Sequence, residues 1–210
     1  ILDLSNIPLK SEDRGNDHPI IIAGGASIAN PEPISDFIDL FCIGDGEILL
    51  PELLKRLKEL LPIRDRHAAI KELSSLKGVY APLLREKIST KNNMIRKDQN
   101  NKIQKAIMPD INTLFTNHYP IIPLVSTIHD RHTIEIQRGC LNGCRFCFAG
   151  YYYRPLREKN FPKIYDEIYH GINNSGFNEI SLLSLNTGCF KNLPKLVQNL
   201  MPFLHEKRIS

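Results

Sequence analysis

Apolar side chains reach the core of this chain in short bursts, separated by turns that glycine and proline mark. Residues 20–23 form a β-branched run ending in Gly24-Gly25, the pattern of a buried strand followed by a tight turn. Pro33 then stands at a first helical position, and Ile34, Phe37 and Ile38 share one face, which predicts a helix over 34–39. Residues 41–43 read as a second short strand, closed by Gly44-Asp45-Gly46. Over 47–61, Ile48, Leu49, Leu53, Leu54, Leu57, Leu60 and Leu61 recur at helical spacing. Farther on, 120–128 is apolar again, and 133–137 reads as a strand with Ile134 and Ile136 on one face. Ile164, Ile168 and Ile172 predict a helix over 161–173, ended by Gly176. A strand over 179–185 and a helical pattern over 193–204 complete the series.

Strand, glycine turn, helix, repeated, is the rhythm of a doubly wound α/β domain, whose ligands bind at the carboxyl ends of strands. Gly24-Gly25 and residues 44–47 fall at such ends, but no G-x-G-x-x-G fingerprint is present. Between the two apolar regions the grammar changes. Residues 85–105 carry seven Lys/Arg against two Asp/Glu and few apolar side chains, so they read as a solvated connector. The chain has 210 residues and a net charge of +4; this segment's excess of five leaves −1 for everything else. A nucleic-acid partner therefore finds little support in charge. At 42% hydrophobic and 24% charged the composition is that of an ordinary globular protein, and the longest apolar runs are far too short to span a bilayer.

Chemistry concentrates in one place. Cys140, Cys144 and Cys147 follow a C-x3-C-x2-C spacing, three of the five cysteines within eight residues. Thiolates so crowded repel one another unless a cation or cluster neutralises them, which makes metal binding the default reading. Structural zinc takes four closed ligands, usually in two separated pairs, and no second pair exists here. Iron–sulfur clusters normally take four cysteines, so a lone triad implies a [4Fe–4S] cluster with one iron left open by the protein. Zinc and unliganded surface thiols remain the alternatives. Cys42 alternates with Phe41 and Ile43 in a strand, and Cys189 is isolated; both are expected to be buried bystanders.

The triad, with Phe146 before its last cysteine, resembles the signature of radical S-adenosylmethionine (radical SAM) enzymes. More closely, RGC-x2-GCRFC-x-AG-x2-YRP-x-RE, from Arg138 to Glu158, resembles an uncharacterised bacterial subfamily. In that subfamily the radical SAM domain follows a cobalamin-binding-like α/β domain. The likeness extends back through His129-Asp130-Arg131 and residues 19–47, and forward to Ser181-Leu182-Leu183-Ser184-Leu185.

The resemblance implies that Cys140, Cys144 and Cys147 ligate three irons, the fourth chelating S-adenosylmethionine. Reductive cleavage then releases a 5′-deoxyadenosyl radical, so the cofactors carry the hard chemistry and the protein positions them. Phe146 is placed near the adenine or the cluster. Gly139 and Gly143 would let the loop curl so that amide N–H groups reach sulfur. The implied partial barrel has 133–137 as its first strand, the cysteine loop as the βα turn, 161–173 as the first helix and 179–185 as the second strand. The turn after that strand departs from the subfamily's S-x-S-G-D-Y pattern. Cys189 and Phe190 stand at the acidic and tyrosine positions, which leaves Ser184 and Gly188 as the cofactor-binding candidates. Tyr151, Tyr152, Tyr153, Arg154 and Arg157 have ordinary structural readings beside any role at the site. The cobalamin motif D-x-H-x-x-G is absent from the residues present, with His18 and His67 in other contexts, so no cobalamin is expected.

The resulting organisation is residues 1–84 as the C-terminal part of a Rossmann-like, cobalamin-binding-like domain, 85–118 as the polar connector and 119–210 as the first βα units of a radical SAM partial TIM barrel. Only 63 residues follow Cys147, whereas a six-unit barrel needs roughly 190. The chain is therefore expected to be a piece of a longer protein, able to hold the cluster but inactive by itself. The expected partners are a one-electron donor such as a flavodoxin or ferredoxin and an unidentified substrate, in the cytoplasm and without a membrane. The alternative function is a non-catalytic Fe–S or zinc-binding module contacting RNA through the basic connector.

Overall fold

The structure, a computed structural model, describes residues 1–60, 62, 65–84, 103–116, 118–125 and 127–210. Most of the basic connector, 85–102, lies outside the described residues. The chain divides into two units, Ile1–Met108 and Pro109–Ser210, both mixed α/β. No helix among the described residues is long and apolar enough to cross a membrane.

In the first unit, β1 (Ile22–Gly24) pairs parallel with β2 (Leu40–Cys42), and β2 pairs antiparallel with β3 (Val79–Tyr80). The sheet is thus mixed rather than wholly parallel. The reason lies between β2 and β3, where α1 (Gly46–Leu60) is followed by a second helix, α2 (Arg66–Leu73). Two helical legs bring the chain back running against β2, whereas a single crossover would have brought it back parallel. Asp65 caps α2 by accepting from the Ala68 N–H at 3.0 Å, a signal the apolar periodicity did not carry. Leu40, Leu53, Ile70 and Leu73 form the centre of this unit's core.

The predicted helix over 34–39 is corrected to a 3₁₀ helix, Glu32–Phe37. Asp39 and Leu40 both donate their N–H groups to Ile21 O, at 3.0 and 3.2 Å, so the chain turns into β2 before a full α-helix can form. Ile34 and Phe37 accordingly stay 43% and 42% exposed. The glycine turn after β2 serves the backbone. Gly44 has φ +130°, and a side chain on it would collide with the Ala106 carbonyl. Ala106 donates its N–H to Ile43 O at 3.0 Å and accepts from Asp45 N–H at 2.9 Å. Residues that follow the connector therefore return to this unit.

Beneath β1 and β2 lies a fully buried charge. The Asp39 carboxylate is 0% exposed and accepts from Arg14 Nη1 at 3.0 Å, from Ile21 N–H at 2.6 Å, and from Arg66 Nη2 and Ser11 Oγ. Arg14 also donates to the Pro8, Leu9 and Phe37 carbonyls, and Arg66 to those of His18 and Pro19. One carboxylate thus fixes the N-terminal segment, the start of β1 and the start of α2.

In the second unit, β4 (His132–Glu135) pairs parallel with β7 (Ile180–Leu183) across the register His132↔Ile180 to Glu135↔Leu183. Helix α4 (Phe161–Ser175) connects them, capped by Asn160 on Lys163 N–H and closed by Gly176 in the left-handed region. Helix α5 (Leu193–Lys207) follows β7. Ile134, Ile136, Ile164, Ile168, Leu196 and Leu200 form the core between strands and helices. The strand predicted over 133–137 is broken. Ile136 donates to Leu183 O and accepts from Lys159 N–H, after which β5 (Gln137–Arg138) pairs antiparallel with β6 (Arg157–Glu158). Among the described residues of the apolar run 120–128, Ile121, Leu124 and Ile128 are exposed, and Pro120 and Pro123 withhold donors that a strand would need.

Replacing Asp39 with Ala leaves two buried guanidinium groups without their shared partner. It should cost about 3–5 kcal/mol in urea unfolding. Lys10→Ala, which breaks the exposed 3.5 Å pair with Glu12, should cost under about 1 kcal/mol in the same measurement.

Candidate metal centre

The parallel pairing of β4 with β7 places the ends of both strands side by side, and the cysteine segment follows the first of them. Its base is closed by the β5–β6 ladder, Gln137↔Glu158 and Arg138↔Arg157. Gly139 has φ +94°, and a Cβ on it would stand 2.6 Å from Pro155 O and 2.8 Å from Tyr153 O. Only glycine lets the outgoing chain pass so close to the returning one. Arg157, 7% exposed, donates to the same two carbonyls, at 3.1 Å to Pro155 O and 3.0 Å to Tyr153 O. Arg138 grips Glu135 with two bonds of 2.9 Å.

Within this frame the three candidate thiols differ in exposure. Cys140 is 8% exposed, Cys147 half-buried and Cys144 exposed. Backbone amides point at two of the sulfurs: Asn142 N–H at Cys140 Sγ and Gly150 N–H at Cys147 Sγ, each at 3.4 Å. Cys147 thereby caps the short helix α3 (Phe148–Tyr152), and its own N–H donates to Cys144 O at 3.1 Å. Gly143 has open space around its position, so an ordinary turn accounts for it. Phe146 stands 92% exposed beside the last cysteine. Among the described residues the three thiols do not all lie within 4.8 Å of one another. A single tetrahedral zinc ion, with Zn–S bonds of about 2.3 Å, would draw them to roughly 3.8 Å. Three soft sulfur donors on one loop fit an iron–sulfur group.

The turn after β7 is the second loop of the site. Ser184 Oγ lies 2.8 Å from Thr187 Oγ1, and Gly188 sits in a single 3₁₀ turn, Thr187–Cys189. Asn186 Nδ2 donates to Cys189 Sγ at 3.0 Å. Cys189, expected to be buried, is corrected to an exposed thiol, 3.9 Å from Asn142 Oδ1 in the cysteine loop. The 3₁₀ turn holds its side chain outside the core, and Phe190 packs inward instead. Two residues that sequence reasoning missed join the loops. Gln137 is 1% exposed and donates from Nε2 to Asn186 O at 2.9 Å, leaving Oε1 buried without a donor. Lys191 N–H donates to Glu158 Oε1 at 2.9 Å. Gln137 carried one available signal, a polar side chain immediately after the buried Ile136.

Cys42 is 7% exposed, as its alternation in β2 suggested, and burial pushes its thiol up to about 11. It stays protonated at neutral pH and lies in the other unit, so it is not a thiolate of this site.

Residues 1–82 match the family described as radical SAM proteins, N-terminal. That match covers the first unit's residues, which are therefore similar to the N-terminal region of radical SAM proteins. The matched residues lie in the first unit, so this finding is independent of the cysteine loop in the second. An uncharacterized protein of Methanocaldococcus jannaschii is 26% identical over 197 residues, covering 90% of this chain and 36% of the relative. The chain thus spans about a third of the length of the curated relative it matches. No solved structure matches.

The backbone requirement at the base of the loop gives a direct test. Gly139→Ala should destabilise the chain by about 1–3 kcal/mol in denaturant unfolding, from strain at positive φ and collision with the Pro155 carbonyl. Gly143→Ala should stay within about 0.5 kcal/mol of the parent chain.

Proposed function

We propose that the second unit holds a [4Fe–4S] cluster on Cys140, Cys144 and Cys147, and that the protein to which this chain belongs is a radical SAM enzyme. The observation that carries this reading is the loop itself: three thiols at the end of a parallel strand, with amide N–H groups directed at the Cys140 and Cys147 sulfurs. Such hydrogen bonds stabilise anionic sulfur and tune iron–sulfur potentials. The similarity of residues 1–82 to the N-terminal region of radical SAM proteins supports the same reading. When bound, the cluster and S-adenosylmethionine supply a 5′-deoxyadenosyl radical upon one-electron reduction by a flavodoxin- or ferredoxin-like donor.

The chain's own residues hold and shape the site. Gly139, Arg157 and the β5–β6 ladder fix the base of the thiol loop. Gln137 ties that base to the Asn186 turn, which brings Ser184 and Gly188 beside the loop. We assign the Ser184–Gly188 turn to the methionine part of S-adenosylmethionine, and Gln137 braces that turn through the Asn186 carbonyl. Phe146, exposed beside Cys147, supplies an apolar face for the nucleoside. The succession β4, α4, β7, α5, with the strands parallel, supports reading residues 119–210 as the first two βα units of a partial barrel. Residues 1–84 are assigned to a Rossmann-like domain that binds no cobalamin.

Anaerobic reconstitution with iron and sulfide tests the ligand set. The chain should take up about four irons. Cys140→Ala, Cys144→Ala and Cys147→Ala should each lose most of that iron, and Cys189→Ala should keep it. Retention of iron in the first three variants, or its loss in Cys189→Ala alone, contradicts the three-cysteine assignment; zinc in place of iron favours a non-catalytic metal module.

A further inference from the structure

A second group of metal-ligating side chains stands on the outer face of α4, apart from the cysteine loop. Lys163, Asp166, His170 and Asn174 succeed one another at steps of three and four, so they form one stripe along the helix. The segment preceding β4 runs along this stripe and is held at two points. Lys163 Nζ donates to Leu114 O at 2.6 Å, and Asn174 Nδ2 donates to His118 O at 2.7 Å. Between these anchors the His118 ring stacks on that of His170, with centroids 4.1 Å apart. His118 Nε2 lies 2.9 Å from Asp166 Oδ2, and His170 Nε2 lies 3.5 Å from Asp166 Oδ1. One ligand atom from each of the three residues lies within 4.8 Å of the others.

We propose that His118, Asp166 and His170 form a second metal site, taking one divalent transition ion of the zinc class. An ordinary His–Asp pair accounts for one imidazole facing the carboxylate; it does not account for two stacked rings facing the same carboxylate. A divalent ion would be held by a lone pair from each imidazole and by the carboxylate, whose charge it offsets. The donor set, two nitrogens and one oxygen, selects zinc-class ions over magnesium or calcium, which take oxygen shells. Two ligands at i, i+4 on one helix and a third from a separate segment is a recurring arrangement for zinc. The Asn174 bond holds the His118 backbone in place beforehand, which lowers the ordering cost of binding. All three side chains are about two-fifths exposed, so the ion has an entry path and keeps open coordination positions. Bound there, it fastens the segment before β4 to α4.

The competing thiols are removed first, in the full chain carrying Cys140→Ser, Cys144→Ser, Cys147→Ser and Cys189→Ser. Zinc titration followed by calorimetry should show one ion bound per chain. His118→Ala and His170→Ala in that background should each weaken binding at least about tenfold, with helical content unchanged by circular dichroism. Absence of zinc binding, or binding that survives both histidine substitutions, overturns the site. Should the cysteine-free chain fail to fold, the parent chain and its His170→Ala variant are saturated with zinc and compared. The parent should carry one more ion than the variant, and equal stoichiometry overturns the proposal. Neither readout depends on the cluster, so the outcome is separable from that of the cysteine assignment.

Discussion

A ladder of two residue pairs decides what the cysteine loop can be. Gln137 and Arg138 leave the core strand and pair with Glu158 and Arg157, so everything between them is a closed excursion with a rigid base. Closing that base requires the outgoing chain to pass against the Tyr153 and Pro155 carbonyls, and only Gly139 permits the approach. Arg157 then satisfies the same carbonyls from the buried side. Such a base lets three thiols, which would otherwise repel, be presented together without help from the surrounding loop.

The rest of the site follows from the parallel register of β4 and β7. Strands paired in that sense end together, so the cysteine loop and the Ser184–Gly188 turn must be neighbours. Gln137 converts that proximity into a connection through the Asn186 carbonyl. In the first unit an analogous part falls to Asp39, a buried carboxylate that gathers Arg14, Arg66, Ser11 and the Ile21 amide. Both units thus organise their loops around a small number of buried polar groups whose partners lie far away in sequence. Breaking either arrangement exposes an uncompensated buried group, which explains the energetic weight placed on them.

Legibility followed physical origin. Helices α1, α4 and α5 were readable because each repeats apolar residues at one face, and Gly176 marked the end of α4. The cysteine spacing stood out because three of the five cysteines fall within eight residues. What stayed hidden depended on partners remote in the chain. The pairing of β5 with β6 breaks a strand that looks continuous in sequence, and Ala106 returns to Gly44 across the whole connector. Prolines misdirected two readings. Pro33 suggested an α-helix start where it forms part of a 3₁₀ turn, and Ile121, Leu124 and Ile128 of the apolar run after Pro120 are exposed. Cys189 was misread because residue type predicts burial on average, while its exposure is set by the turn that holds it.

The central claim is that the thiol loop holds a cluster with one iron left open for S-adenosylmethionine. Electron paramagnetic resonance of the anaerobically reconstituted, dithionite-reduced chain tests it most directly. The account predicts a reduced [4Fe–4S] signal whose g values and line shape change when S-adenosylmethionine is added. A reduced cluster signal that S-adenosylmethionine leaves unaltered would contradict it.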